Sequence, residues 1–278
     1  MKIREAVDGC LEYHKANSKK STLDGYGFVL EKFSAIFGDW EVESISSDEI
    51  FSFLSLLSDG RKQATKRSRY SILSAFFTFV SHSYQPGVPN ACHSAILRKI
   101  FRAAKYPQWE MLDKDTEDEV IFKIPQSRNR LVVELIARGG LRVSEVLKLR
   151  GRDVEDLKLV LRDPKSGREE EAVFIPQKGA YRLWEYIGQK RVGPEDRLFP
   201  ITYAAPRIIV SNAGRRVGVE LRPHDLRRHA ATYASRAGTP IQIVSKVILR
   251  HANLSTTQRY LGKVSGVEAL RWIELLYG

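Results

Sequence analysis

The sequence predicts a mainly α chain with one small β-hairpin, an α+β class, divided into two domains near residue 107. Three observations predict it. Apolar residues recur at three- and four-residue steps through most of the chain, which is helical spacing. Alternation is confined to Leu157, Leu159 and Leu161 and to Ala172 and Phe174, the two-residue period of paired strands. A polar stretch over residues 106–116 separates the early helical part from the rest and reads as a linker, and 278 residues suit two modest domains.

The elements of the first domain follow from local signals. Val7 and Leu11, with Tyr13 and His14 behind them, mark a short opening helix, and residues 17–21 are a polar break. Ser21 or Thr22 is placed to cap a second helix carrying Tyr26, Val29, Leu30, Phe33 and Phe37, which Gly25 and Gly27 weaken and Gly38-Asp39 ends. Ser47-Asp-Glu-Ile50 reads as a capping sequence ahead of Ile50, Phe53, Leu54 and Leu57, with Asp59-Gly60 as the stop. Arg61, Lys62, Lys66, Arg67 and Arg69 then put five cations in nine residues before the apolar stripe Tyr70, Leu73, Phe76, Phe77 and Val80. Cations at a helix N-terminus oppose its dipole, a cost that neighbouring phosphates offset. These five are therefore candidate contacts to a phosphate backbone, against the plainer reading of a solvated helix face. Pro86, Gly87 and Pro89 form a loop, and a last helix is expected over residues 91–104.

In the second domain Thr116 and Glu119 fit a capping box for a helix to about Lys123, stopped by Pro125. A helix over residues 129–138 breaks at Gly139-Gly140, and Arg142 opens the next, through Val146 and Leu149. The two strands are joined by the turn Pro164-Lys-Ser-Gly167, and a helix covers residues 181–191. Pro223 suits the first position of a helix bearing His224 and Arg227. Thr239-Pro240 starts a short helix to Leu249, and Ser255 starts another that carries Tyr260. Val267, Leu270, Ile273 and Leu276 recur at three-residue steps on a terminal helix.

Composition narrows the partner. Lys and Arg number 45 against 33 Asp and Glu, a formal charge of +12 with a pI near 9.7, which points to a polyanion, most commonly nucleic acid. The excess is shared: residues 1–106 hold 15 cations against 11 carboxylates and residues 107–278 hold 30 against 22, so +4 and +8. Cys10 and Cys92 are too few for a disulfide framework or a Cys-rich zinc site. With no apolar signal core and no run of about 18 apolar residues, a cytoplasmic, nucleoid-associated chain without a membrane segment is expected.

The chemistry is carried by residues far apart in sequence. Gly140-Leu-Arg142-Val-Ser-Glu145 is followed by His224-Asp-Leu-Arg227-Arg-His, and His251 is followed at nine residues by Tyr260. A phenol has a pKa of about 10, so it needs a cationic setting to act as a nucleophile near neutrality. Attack on a phosphodiester puts extra negative charge on the non-bridging oxygens. Arginine answers that charge without a metal, because its planar fork stays charged and binds phosphate oxygens in pairs. Arg142 and Arg227 are the candidates. His224 and Arg227, three residues apart, share a helix face and can meet one phosphate. His229 and Arg228 read instead as structural, and a His224–His229 zinc site is disfavoured by spacing and the lack of a third ligand. No GxxxxGK[ST] loop is present.

In order and spacing these motifs resemble the tyrosine recombinase (phage integrase, Xer-like) family over most of residues 110–265. The resemblance implies a two-domain, C-shaped clamp on DNA. Residues 1–106 would be a helical, SAM-like core-binding domain and residues 107–278 the catalytic domain. It implies site-specific cleavage and rejoining of double-stranded DNA through a 3′-phosphotyrosine formed by Tyr260, with no metal, ATP or other cofactor. By resemblance His224 assists proton transfer, His251 hydrogen-bonds a non-bridging oxygen, and Glu145 supports the pocket. A hairpin lysine protonates the leaving oxygen; Lys165 matches best and Lys178 less well. The working form would be a homotetramer on DNA, its C-terminal helix packed on a neighbouring protomer or on its own domain. Two other readings stand beside this one: a type IB topoisomerase-like relaxing enzyme, and a DNA-binding regulator that has lost catalysis.

Overall fold

A computed structural model of the chain describes residues 1–103, 112–162, 169–258, 261, 270 and 273–275. It divides into two compact units, Met1–Tyr106 and Pro107–Gly278.

The first unit is helical: α1 (Ile3–Asn17), α2 (Lys20–Phe37), α3 (Ser47–Leu57), α4 (Gln63–Ser83) and α5 (Ala95–Ile100). Phe33 lies at the centre of its core, with ring centroids of Phe37 and Phe53 at 5.1 Å and of Phe77 at 6.0 Å. Tyr70, Leu73, Phe76, Phe77 and Val80 are the buried face of α4, as their spacing predicts. Starts and stops shift where a different polar group reaches the backbone. Helix α2 begins at Lys20 with no side-chain cap, so Ser21 and Thr22 lie inside it. Ser46, not Ser47, caps α3: its hydroxyl accepts from the Asp48 N–H at 3.1 Å while Glu49 accepts from the Ser46 N–H at 2.9 Å. Of the helix expected over residues 91–104, the described residues 91–103 form a 3₁₀ turn, Ala91–His93, and the six-residue α5. There Tyr70 Oη donates to the Cys92 carbonyl and Asn90 accepts from the Cys92 N–H, which fixes the turn in a non-α geometry.

The second unit contains α6 (Lys114–Phe122), α7 (Ser127–Ala137), α8 (Val143–Lys148), the strands β1 (Val154–Glu155), β2 (Lys158–Arg162) and β3 (Glu170–Phe174), then α9 (Gln177–Lys190), α10 (Ala205–Arg216), α11 (Pro223–Arg236), α12 (Ile241–Ile243) and α13 (Leu254–Gln258). The sheet is antiparallel in the order β1-β2-β3, with Leu159 opposite Val173 and Leu161 opposite Glu171. Its hairpin is the one the alternation predicts; β1 adds a third strand of two residues, too short to leave a pattern. The cap of α6 is Asp113, whose carboxylate accepts from the Thr116 N–H at 2.7 Å, so the expected Thr116–Glu119 box is not the one formed. Pro223 opens α11 as expected. The expected short helix to Leu249 is α12 running into a π-helical turn, Val244–Ile248.

The core of this unit centres on α7, whose Leu131, Val132, Val133, Leu135 and Ile136 are buried, packed by Leu159, Leu183, Phe199 and Leu226. A small separate cluster, Ala231, Val244 and Leu249 with Leu261 packed on it, ties the π-turn to α11. Among the described residues no helix is long and apolar enough to cross a membrane.

Candidate active site

The break after α7 sets the geometry. Gly140 has φ +60, a left-handed conformation that a β-carbon opposes, and a β-carbon there would lie 2.7 Å from the Ile248 carbonyl oxygen. Glycine therefore lets the chain turn sharply and lets the π-turn seat against it. Two residues on, Arg142 caps α8, and its N–H donates to Glu145 Oε2 at 2.8 Å while its Nη1 donates to Glu145 Oε1 at 2.5 Å. The sequence brings Arg142 and Glu145 to one helix start, so one buried carboxylate orients the guanidinium at the rim.

Helix α11 supplies the opposite wall. Asp225 accepts from the Arg222 N–H at 2.9 Å and fixes the first turn, from which His224 and Arg227 project. Arg227 is 2% exposed, and its two terminal nitrogens donate to the carbonyls of Gly140 and Leu249. Such a guanidinium is held in orientation by backbone, which lowers the reorganisation needed when charge develops beside it. His251 follows the π-turn; its N–H donates to the Ser245 carbonyl, and its Nδ1 lies 3.0 Å from Thr257 Oγ1 on α13.

These elements enclose a cleft of about 920 Å³ whose lining includes Arg142, His224, Arg227, His251 and Thr256. Its electrostatics follow from concentrated positive charge. Burial, then the charges of Arg227, Arg142 and Arg250, depress the His251 pKa to about 4, so its imidazole is neutral near pH 7. His224 is also held below its ordinary value, by desolvation and by Arg228 and Arg227. Burial pushes the Glu145 carboxyl up, but the Arg250 charge, the Arg142 N–H and the Arg142 guanidinium outweigh it, so Glu145 stays ionised below the usual range. Neutral imidazoles among fixed guanidinium groups are suited to hydrogen-bond and exchange protons with a phosphodiester.

Arg142, Glu145, His224, Arg227 and His251 thus meet at one place. Tyr260 and Lys165 lie outside the described residues. Thr257 and Leu261, on either side of Tyr260, are both packed onto the second unit, Leu261 against the Ala231 cluster. Lys178 is exposed at the start of α9 and does not line the cleft. His229 faces Glu117 at 3.1 Å in the interior and stacks on Tyr233, a structural position. Sequence reasoning did not single out Arg207, Arg222 or Arg250, which also line the cleft. Arg222, next to Pro223 at the start of the same helix, carried the one readable signal. Among the described residues no group of three His, Cys, Asp or Glu is placed to hold a metal ion.

The five basic residues near the start of α4 divide. Arg61 and Lys62 are exposed. Arg69 donates to the Leu57 carbonyl and lies 5.0 Å over the Phe28 ring; Arg67 lies 5.1 Å over Tyr70 and reaches the Phe101 carbonyl at 3.4 Å. Lys66 is half-buried.

The chain is similar to known proteins in sequence and in fold. The model of the Phage integrase family matches residues 111–264. A tyrosine recombinase XerA of Saccharolobus solfataricus is 29% identical over 69% of this chain and 62% of its own length. The XerA of Pyrococcus horikoshii is 29% identical over 85% of this chain and 98% of its own. Among solved structures, the Tn1549 transposon integrase in complex with transposon right end DNA superposes with a TM-score of 0.78 at 15% identity over the whole of both chains, a likeness of fold.

Proposed function

This chain belongs to the phage integrase family of tyrosine recombinases, enzymes that break and rejoin DNA, and on that premise we propose that Tyr260 is the nucleophile of a site-specific strand exchange. The observation that carries the assignment of roles is the convergence of Arg142, His224, Arg227 and His251 on one cleft. Arg142 and Arg227 bind the non-bridging oxygens of the scissile phosphate and stabilise the charge gained at the pentacoordinate stage. His251, neutral and held at Nδ1, hydrogen-bonds the same phosphate through its other nitrogen. His224, with a depressed pKa, accepts the phenol proton as the Tyr260 oxygen bonds to phosphorus. The 5′ oxygen leaves with a proton from Lys165, and the resulting 3′-phosphotyrosine keeps the ester bond for rejoining. Glu145 orients Arg142.

Residues 1–106 serve as the core-binding domain, with Arg61, Lys62 and Lys66 toward the DNA backbone and Arg67 and Arg69 held against their own domain, and residues 107–278 as the catalytic domain. The partner is double-stranded DNA, bound by a tetramer. Exposed Leu270, Ile273 and Leu275 on the last described residues supply apolar surface for a neighbouring protomer. The test is a duplex nicked beside the cleavage site. Wild type should accumulate a covalent protein–DNA adduct on a denaturing gel, and Tyr260→Phe should bind the duplex but yield none. An adduct with Tyr260→Phe refutes the assignment of the nucleophile.

A further inference from the structure

Arg250 is a buried cation that no motif of the site requires. Its backbone is left-handed, φ +51, a conformation open to glycine at no steric cost and opposed by any β-carbon. Its side chain is 2% exposed. A charge placed so deep is unfavourable unless closely paired, so both its strained backbone and its burial call for a compensating role.

The partners identify that role. Arg250 Nη2 donates to Glu145 Oε2 at 2.8 Å and to the Gly140 carbonyl at 3.0 Å, and Nη1 donates to the Ile248 carbonyl at 2.7 Å. Its Nε lies 3.9 Å from Glu171 on β3. Each of the first two acceptors also serves a cleft arginine: Glu145 holds Arg142, and the Gly140 carbonyl holds Arg227. Arg250 is therefore one acceptor away from both proposed phosphate-binding arginines, and its proximity to Glu171 reaches β3, the strand that follows Lys165 in sequence.

We infer that Arg250 is a positioning residue that shares the charge of Glu145, so that Arg142 is oriented by that carboxylate without being captured by it. A lone buried carboxylate beside Arg142 would compete with DNA for the guanidinium. With Arg250 taking up its second oxygen, Glu145 acts as a hinge for Arg142, whose guanidinium remains able to turn its charge on the scissile phosphate. The inference rests on the reading that Arg142 and Arg227 bind that phosphate.

The test uses the full chain and the nicked duplex, read as the rate of adduct formation at saturating protein. Arg250→Gly suits the left-handed backbone and removes the guanidinium; it should slow adduct formation on the order of 10- to 100-fold, the scale for losing a group that orients a reacting side chain. Duplex affinity should stay within about threefold, because backbone affinity is spread over many cations and Arg250 is buried. Adding Glu145→Gln to Arg250→Gly removes the competing charge and should recover a large part of the lost rate, whereas two independent lesions would multiply. Arg250→Lys, with one ammonium in place of the fork, should fall between wild type and Arg250→Gly, and replaces it if circular dichroism shows Arg250→Gly unfolded. If wild type gives no adduct, the proposed function falls and this inference with it. If wild type gives the adduct but the Arg250 variant keeps its rate, or the double variant is slower by the product of the two single losses, this inference alone is overturned.

Discussion

His251 and Thr257 are joined side chain to side chain, Nδ1 to Oγ1 at 3.0 Å, and the Thr257 and Ser245 hydroxyl oxygens lie 2.9 Å apart. All three lie in the interior, so the bond fixes the ring plane of an imidazole that lines the cleft. Thr257→Val keeps the shape and deletes the hydroxyl. It should cost about 1–3 kcal/mol by leaving buried polar groups unpaired, measured by urea unfolding. It should also slow adduct formation while sparing duplex affinity. Thr257→Ser should restore both; a Thr257→Val protein with wild-type rate would remove the hydroxyl from the account.

The depressed pKa of His251 gives stability a pH dependence with a definite sign. The unfolded imidazole takes up a proton below about 6.5, while the folded one resists it down to about 4. Between those values the unfolded state binds more protons, so stability falls as pH drops through this window, by at most about 3 kcal/mol from this residue. Glu145, depressed below its ordinary value, adds a further loss only at lower pH, below about 4.5. Urea midpoints at pH 7 and pH 5 check the first window, and His251→Gln should flatten it. An unchanged slope in that variant would place the dependence elsewhere.

Two arginines of the same basic run should behave differently. Arg61→Ala removes an exposed cation and should reduce the slope of log affinity against log salt by about 1, with little change in melting temperature. Arg69→Ala removes a guanidinium that caps the Leu57 carbonyl and covers Phe28, so its main effect should be lower thermal stability. Fluorescence anisotropy across a salt series and a thermal melt separate the two. Equal salt slopes for Arg61→Ala and wild type would take Arg61 off the DNA.

Gly140→Ala should be among the most damaging single-methyl changes in the chain. It places a β-carbon on a left-handed backbone and within 2.7 Å of the Ile248 oxygen. A penalty of at least about 1–3 kcal/mol is expected, with loss of adduct formation because the same peptide carries the acceptor for Arg227. A melt unchanged from wild type would show that the turn can relax.

Much of this molecule is legible in its sequence, and the parts that are not have physical reasons. The stripe from Tyr70 to Val80 and the Pro223 start of α11 are set by local spacing and by backbone chemistry that acts within one turn, so they were legible. The caps at Ser46 and Asp113 were misplaced by one and three residues because several neighbouring side chains can cap, and the choice depends on which one the turn points inward. Helix α10 went unassigned, since its buried face is only Pro206, Val210, Ala213 and Gly214 and carries little hydrophobic contrast. The π-turn Val244–Ile248 is too short to separate its period from that of an α-helix. In the site, Arg142, His224, Arg227 and His251 were found through motif spacing. Arg250 was not, because a cation beside His251 looks like one more basic surface residue until burial shows that it points inward.

The carbonyl of Gly140 accepts from Arg227 and from Arg250 at once, so that amide plane cannot rotate without stranding two cations away from water. It acts as a fixed datum between the opposing walls. Helix α8 is capped two residues later, at Arg142, and each residue of an α-helix turns its side chains by about 100°. Inserting or deleting a single residue between this peptide and Arg142 would throw Glu145 out of phase with Arg250 even with every side chain of the site retained. The length of that short segment is therefore as strict a requirement as the identity of the residues it separates.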